Sequence, residues 1–413
     1  MEKLMKLILL SSVILGIASA SYAIIEMPLS DEMTARVIAA GTNEFALDMY
    51  REVSGLEEEG NIFFSPYSVS MTLGMVYGGA RGNTALDMSS VLHFNLPVEA
   101  VNTGFQLLTK TISFGRPSEL ETGDPFTMAI SNGLWVQQDY ELLDDFVSAV
   151  REFYGASVES LDFIGDTEGS RETINSWVAR NTMNKILNLI PFGVLDTDTR
   201  VVLTNAVYFK ASWTHPFNLN ATSDRRFILE DGSEVVVPMM TNTDSYRYAS
   251  SDDWSAVVLD YAGGDAGMLV IMPTGDMGEF QEGFDAELLA AVRSSMSSRN
   301  LHLSMPRFEF TRSMPLSTIL RSLGMESAFD SSADFSGITG NRDLYISEVL
   351  HKAYVKVDET GTEAAAATAL TMATTGMPAP PAEMNINRPF VFIIQNNLTG
   401  SIVFMGRVMN PSV

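Results

Sequence analysis

An α+β fold is expected from three features of this chain of 413 residues. Helical periodicity fills its first half, strand-like runs fill its second, and no linker or internal repeat divides it. The absence of cysteine rules out disulfides and a cysteine-borne lipid anchor, so stability must come from an apolar core. A chain of this length can build one. The charge balance, 26 Lys and Arg against 51 Asp and Glu for a net −25, opposes nucleic acid and anionic membrane partners.

The chain opens on an address. Lys3 and Lys6 precede an apolar run from Leu7 to Ala18, and Ala18-Ser19-Ala20 or Ser21-Tyr22-Ala23 fits a small-residue cleavage site. The run is short for a transmembrane helix. A secretory signal peptide over 1–23 is expected, followed by a single domain over 24–413 in an extracellular or periplasmic location. Helical spacing recurs at Thr34–Val53, Ser65–Gly78, Thr84–Leu92, Val98–Ser113, Leu142–Tyr154, Glu168–Leu187, Ala286–Ser295 and Met314–Leu323. Ser65 followed by Pro66 is an N-cap with proline at the first helical position. Strand patterns fall at Thr127–Gln137, Val201–Ser212, Arg225–Ile228, Glu234–Met240, Ala256–Tyr261, Met268–Pro273, Asn300–Phe310 and Leu344–Asp358.

The tract from Glu359 to Pro381 departs from this pattern. It holds two carboxylates, no basic residue, no aromatic and a run of four alanines. Such a tract buries too little apolar surface to offset its ordering entropy and reads as a long exposed loop. It also has strand character. With period two, Thr362, Ala364, Ala366, Thr368, Leu370 and Met372 share one face, and Glu363, Ala365, Ala367, Ala369 and Thr371 the other. Gly361, tolerant of positive φ, stands where a hinge is needed. Beyond the tract, two runs apolar on both faces flank Asn396-Asn397-Leu398-Thr399-Gly400, a hairpin between core strands.

The hinge (Glu359 to Ala367), the strand leading into it (His351 to Asp358) and Asn387-Arg-Pro-Phe-Val-Phe392 together resemble the serpin family of serine protease inhibitors, over a span from about Asn43 to Pro411. A secreted, prokaryotic member is expected. The resemblance implies three β-sheets, eight or nine helices and an exposed reactive-centre loop over 359–381. It implies a suicide substrate: a serine protease cleaves the loop, the loop inserts into the central sheet, and the acyl-enzyme is trapped. Its hinge would be Glu359, Gly361, Thr362, Ala364, Ala365, Ala366 and Ala367. Ser65, Ser68, Asn205 and His351 match the "shutter" where the sheet parts, and Trp213 the "breach" at its top.

Family spacing from Glu359 places the scissile bond at Thr375-Gly376. Counting from Pro389 disagrees, because the intervening segment is a few residues longer than usual, so Met372, Thr374 and Met377 are alternatives. Pro378 disfavours cleavage after Met377. Small uncharged residues there suit elastase-like or subtilisin-like proteases, and no Lys or Arg between Lys356 and Arg388 suits a trypsin-like one. His351 shares the inward face of its strand with Ala353, Val355 and Val357 and so needs a buried partner. Neither a nucleophile motif nor a metal-ligand spacing occurs, and the four histidines are dispersed. No enzyme activity, cofactor or metal is expected, and a monomer is. The alternative is a non-inhibitory serpin acting in binding, as a chaperone or in storage. Asn-x-Thr sequons stand at Asn220 and Asn397.

Overall fold

A computed structural model of the chain describes residues 30–113, 127–362 and 380–413. The expected signal peptide, the hinge alanines Ala364 to Ala367 and every candidate scissile residue from Met372 to Met377 lie outside the described residues. Among those described, no helix is long and apolar enough to cross a membrane.

The first half is helical where the periodicity requires it. Helix α1 (Asp31–Leu56), strand β1 (Ile62–Phe64) and helices α2 (Pro66–Tyr77), α3 (Gly82–Val91) and α4 (Val98–Ser113) come first. Strand β2 (Thr127–Gln137), helix α5 (Asp144–Tyr154), strand β3 (Ser157–Leu161), helix α6 (Thr167–Asn181) and strand β4 (Val201–Ser212) follow. The meander β5 (Ser223–Ile228), β6 (Glu234–Ser250), β7 (Trp254–Asp260) and β8 (Ala266–Pro273) leads to helices α7 (Met277–Glu282) and α8 (Ala286–Ser295). Then come β9 (Ser297–Pro306), β10 (Phe308–Pro315), α9 (Leu316–Ser322) and α10 (Ser336–Thr339). The chain ends in β11 (Glu348–Val357), β12 (Gly361–Thr362), β13 (Ala382–Asn385), β14 (Phe390–Asn396) and β15 (Ile402–Val408).

The α+β class holds, with ten helices among the described residues rather than eight or nine. Two of them, α7 and α10, are too short for a periodicity to register. Hydrogen bonding joins the strands into two sheets instead of three. One has nine strands in the order β1-β15-β14-β8-β7-β6-β9-β13, with β5 also on β6; the other has six, in the order β10-β11-β12-β4-β2-β3. The merger runs through β6, which is 17 residues long. Its first part pairs with β5 and its last part with β7, so two ladders share one strand.

All twelve residues of α2 are buried. A helix apolar on every side must lie inside the core, and α2 packs against β2 and β4 of one sheet and β15 of the other. Its start is as predicted: Ser65 caps the Ser68 amide, and Pro66 takes the first helical position. On the opposite face of the six-stranded sheet, Ile174 and Val178 of α6 pack with Trp135, Val202, Ala206 and Leu350 as a second apolar cluster.

Other boundaries differ for local reasons. Helix α6 ends at Asn181, short of Leu187, because Met183, Asn184 and Asn188 adopt left-handed conformations incompatible with a helix. The strand read as Asn300–Phe310 is two strands that break at Arg307, where the chain passes from one sheet to the other. Strand β6 continues ten residues past Met240, because its polar stretch is paired residue by residue with β9.

Candidate functional site

The site is the junction of β11 and β4. Along their lower length these strands pair directly and in parallel, from Glu348 opposite Val202 to Tyr354 opposite Tyr208. His351 and Asn205 stand opposite one another in this register. Both are fully buried, as the inward face of β11 requires. His351 Nδ1 donates to Asn205 Oδ1 at 2.6 Å, and Nε2 accepts the Ser65 backbone amide at 3.1 Å. Those partners fix the neutral imidazole with its proton on Nδ1. Burial pushes its pKa down to about 3, because an imidazolium there would lose its hydration with no carboxylate bonded to it.

The hydrogen-bond chain continues into α2 and β2. Asn205 Nδ2 reaches Ser68 Oγ, Thr72 Oγ1 (3.1 Å) and Asn132 Oδ1 (2.6 Å). Ser65 Oγ donates to Val403 O at 2.7 Å, tying the cluster to β15. The four residues singled out in the sequence, Ser65, Ser68, Asn205 and His351, are therefore brought together. Thr72 and Asn132 join them without having been expected, although a polar Ser131-Asn132 pair inside an otherwise apolar strand is the available signal.

Above this cluster, the start of the tract is not an exposed loop. From Val357 the chain turns through Asp358, Glu359 and Thr360, and Asp358 Oδ1 accepts from both the Thr360 amide (2.9 Å) and the Thr360 hydroxyl (2.6 Å). Strand β12 then lies between β11 and β4: Thr362 faces Val357 on one side and Ala211 on the other, antiparallel to both. Thr362 Oγ1 meets Tyr261 Oη at 2.7 Å. Trp213 stacks on Tyr261 with centroids 4.6 Å apart, its amide donates to Thr360 O at 2.9 Å, and its Nε1 to Asp358 O at 3.0 Å. The candidate breach tryptophan thus clamps the turn.

Glu359 is 3% exposed. Arg307 donates to its Oε1 through Nε at 2.8 Å and through Nη2, and Thr222 Oγ1 donates to the same oxygen. Burial alone would raise the carboxyl pKa, but these bonds outweigh it and hold the group below its ordinary value. Arg307 lies at the crossing point of the two sheets, so the anchor couples both to the turn. Neither Arg307 nor Thr222 is legible in the sequence, being 52 and 137 residues away from Glu359.

Gly361, read as tolerant of positive φ, has a φ of 157°. A Cβ there would stand 2.1 Å from Ala211 O and 2.7 Å from Ser212 Cα, both backbone atoms that cannot give way. Close approach to β4 and the positive φ both require glycine. Gly361→Ala is expected to cost about 1–3 kcal/mol, the usual range for overpacking, in denaturant unfolding. An unchanged midpoint would mean that β12 does not sit against β4.

Among the described residues no group of His, Asp and Glu is arranged to hold a metal ion. The junction is a polar seam closed by His351 and Asn205, with one short strand already seated between β11 and β4 at its upper end.

Comparison with known proteins identifies the family. The family model described as "Serpin (serine protease inhibitor)" matches residues 40–411. A serpin-like protein of Thermococcus kodakarensis is 39% identical over 373 residues, covering 89% of this chain and 84% of its own. Leukocyte elastase inhibitor A of Rattus norvegicus is 36% identical over 386 residues, covering 91% of this chain and 99% of its own. The crystal structure of human thyroxine-binding globulin superposes with a TM-score of 0.82 at 30% identity, covering 92% of this chain and 99% of that one. The chain belongs to the serpin family of serine protease inhibitors.

Proposed function

We propose that this chain is a secreted suicide-substrate inhibitor of elastase-like or subtilisin-like serine proteases. The observation that carries the reading is β12, whose two residues already occupy the slot between β11 and β4. Extending its register, each step along the loop is one step back along both neighbours. Ala364 then falls opposite Phe209, Ala366 opposite Val207, Leu370 opposite Leu203 and Met372 opposite Val201. Thr368 falls between Asn205 and His351, where its hydroxyl can replace the bond they make to each other. These loop residues are the face that the period-two reading set apart, and Val207, Phe209, Leu203 and Val201 belong to the main core. On the other face Glu363 falls opposite Lys210.

The energetics favour insertion once the loop is cut. About 14 residues from Thr362, at roughly 3.3 Å each, span on the order of 45 Å. Roughly a dozen ladder hydrogen bonds at about 0.5–1.5 kcal/mol each contribute on the order of 10 kcal/mol. The protease first forms its ordinary acyl-enzyme with the loop. Strand addition of the kind serpin loops make then carries the ester-linked protease with it. A protease displaced and pressed against the far end of the sheet loses its oxyanion hole, and the ester survives.

A panel of elastase-, subtilisin-, chymotrypsin- and trypsin-like proteases tests this by denaturing electrophoresis and mass spectrometry. A denaturant-resistant complex with an elastase- or subtilisin-like enzyme, plus a released 38-residue peptide (376–413), is expected for cleavage at Thr375. Release of a longer or shorter peptide would move the bond to Met372, Thr374 or Met377. Clean cleavage without complex would instead support the non-inhibitory reading. That reading draws on the likeness to a thyroxine-binding globulin, whereas the small residues of the hinge speak for inhibition.

A further inference from the structure

We propose that Asn220 is an N-glycosylation site and that Asn397, which carries the other Asn-x-Thr sequence, is not. This rests on the secretion reading, since asparagine-linked sugars are added to exported chains. The sequence alone cannot separate Asn220-Ala-Thr222 from Asn397-Leu-Thr399. The structure does.

Asn220 sits in a single turn of 3₁₀ helix, Leu219–Ala221, in which no residue is buried. The turn holds itself, with the Asn220 backbone amide donating to Asn218 Oδ1 at 2.9 Å. The Asn220 side-chain amide has no partner among the described residues and faces open solvent. Asn397 is the opposite case. Its Nδ2 donates to Asp260 Oδ1 at 3.1 Å and to Gly264 O at 3.0 Å, so both amide hydrogens are used. Its Oδ1 accepts from Arg247 Nη2 at 3.3 Å, and its backbone amide donates to Asp265 O at 2.8 Å. Glycosylation replaces one Nδ2 hydrogen by a bond to the anomeric carbon of a sugar. At Asn397 the sugar would displace Asp260 or the Gly264 carbonyl; at Asn220 it displaces only water.

In the reaction the Asn220 Nδ2 bonds the anomeric carbon of a polyprenyl-phosphate-linked oligosaccharide. The bond from that carbon to the phosphate oxygen breaks, the lipid phosphate leaves, and the amide proton passes to the transferase. The sequon's third residue, Thr222, donates its hydroxyl to Glu359 in the folded chain. The transferase must read a free hydroxyl, so at Asn220 the one bond from Thr222 to Glu359 has to open locally, whereas at Asn397 the bonds to Asp260, Gly264 and Arg247 all have to open. Once added, the glycan stands beside a cleft of about 610 Å³ lined by Leu219, Arg307, Glu359 and Thr360, at the turn between β11 and β12.

The test is secretion of the chain from Ile24 onward, behind a host leader, from insect cells. Wild type is compared with Asn220→Gln and Asn397→Gln by intact mass before and after peptide N-glycosidase treatment. The expected result is one glycan on wild type, none on Asn220→Gln and one on Asn397→Gln. Secreted wild type without a glycan, or a glycan that persists in Asn220→Gln, overturns the proposal. Because the leader belongs to the host, neither outcome bears on the native signal peptide.

Discussion

Ala366→Arg is expected to convert this serpin from inhibitor to substrate. The variant should still be cleaved at the same bond and at a similar rate, since the substitution lies well before Thr375. It should form little or no denaturant-resistant complex. The reason is the register of β12. Continued downward, it puts residue 366 opposite Val207, a fully buried residue of the main core. An arginine carried there meets no carboxylate among the core residues around Val207, and burying an unpaired guanidinium costs several kcal/mol. Even about 3 kcal/mol added to the insertion barrier slows it roughly 100-fold. Under the proposed mechanism inhibition is a race between insertion and deacylation, so a loss of that size hands the outcome to hydrolysis. Glu363→Gln is the control on the other face. Its position falls opposite Lys210, which is only half-buried, and complex formation should survive. A stable covalent complex from Ala366→Arg would mean that the loop does not enter between β11 and β4 in this register.

Much of this site is legible in the sequence, because the legible features are local. The inward placement of His351 follows from period two and its flanking Ala353 and Val355. The helix start at Ser65-Pro66 is written in two adjacent residues. What escapes is set by distant contacts. Glu359 reads as part of an exposed tract, and it is buried because Arg307 and Thr222 converge on it from elements far away in the chain. Gly361 reads correctly as a residue of positive φ, but not as one whose Cβ would meet the Ala211 carbonyl. Strand β6 reads as seven residues because Thr241 to Ser245 are polar, yet each has a partner on β9 that keeps the ladder going. Hydrophobic pattern reports which face is buried. It says little about strands whose pairing crosses from one sheet to another.

Acid should open the same junction through His351. The folded-state pKa of about 3 lies well below the ordinary value of about 6.5 for an imidazole in an unfolded chain. Between these values the unfolded chain binds a proton that the native one refuses, so stability falls as pH falls. The contribution is complete above about pH 6.5 and is lost progressively down to about pH 3. At pH 4 the loss from this one residue is about 3 kcal/mol relative to pH 7. Other groups also titrate in this range, so the measurement is a difference: urea unfolding of wild type and His351→Gln at pH 7 and at pH 4. Glutamine cannot protonate. It should be the less stable protein at pH 7, because the Ser65 amide and Asn205 Oδ1 lose well-placed partners. By pH 4 the gap should shrink or reverse by about 3 kcal/mol. A gap that stays constant with pH would show that His351 takes up its proton while the sheet remains closed. The neutral hydrogen bond to Asn205 would then not be what keeps β11 and β4 together. An opened junction lets His351 take up its proton, so acid favours the open form, and wild type held at pH 4 should also accept an exogenous loop peptide (362–375) faster than at pH 7.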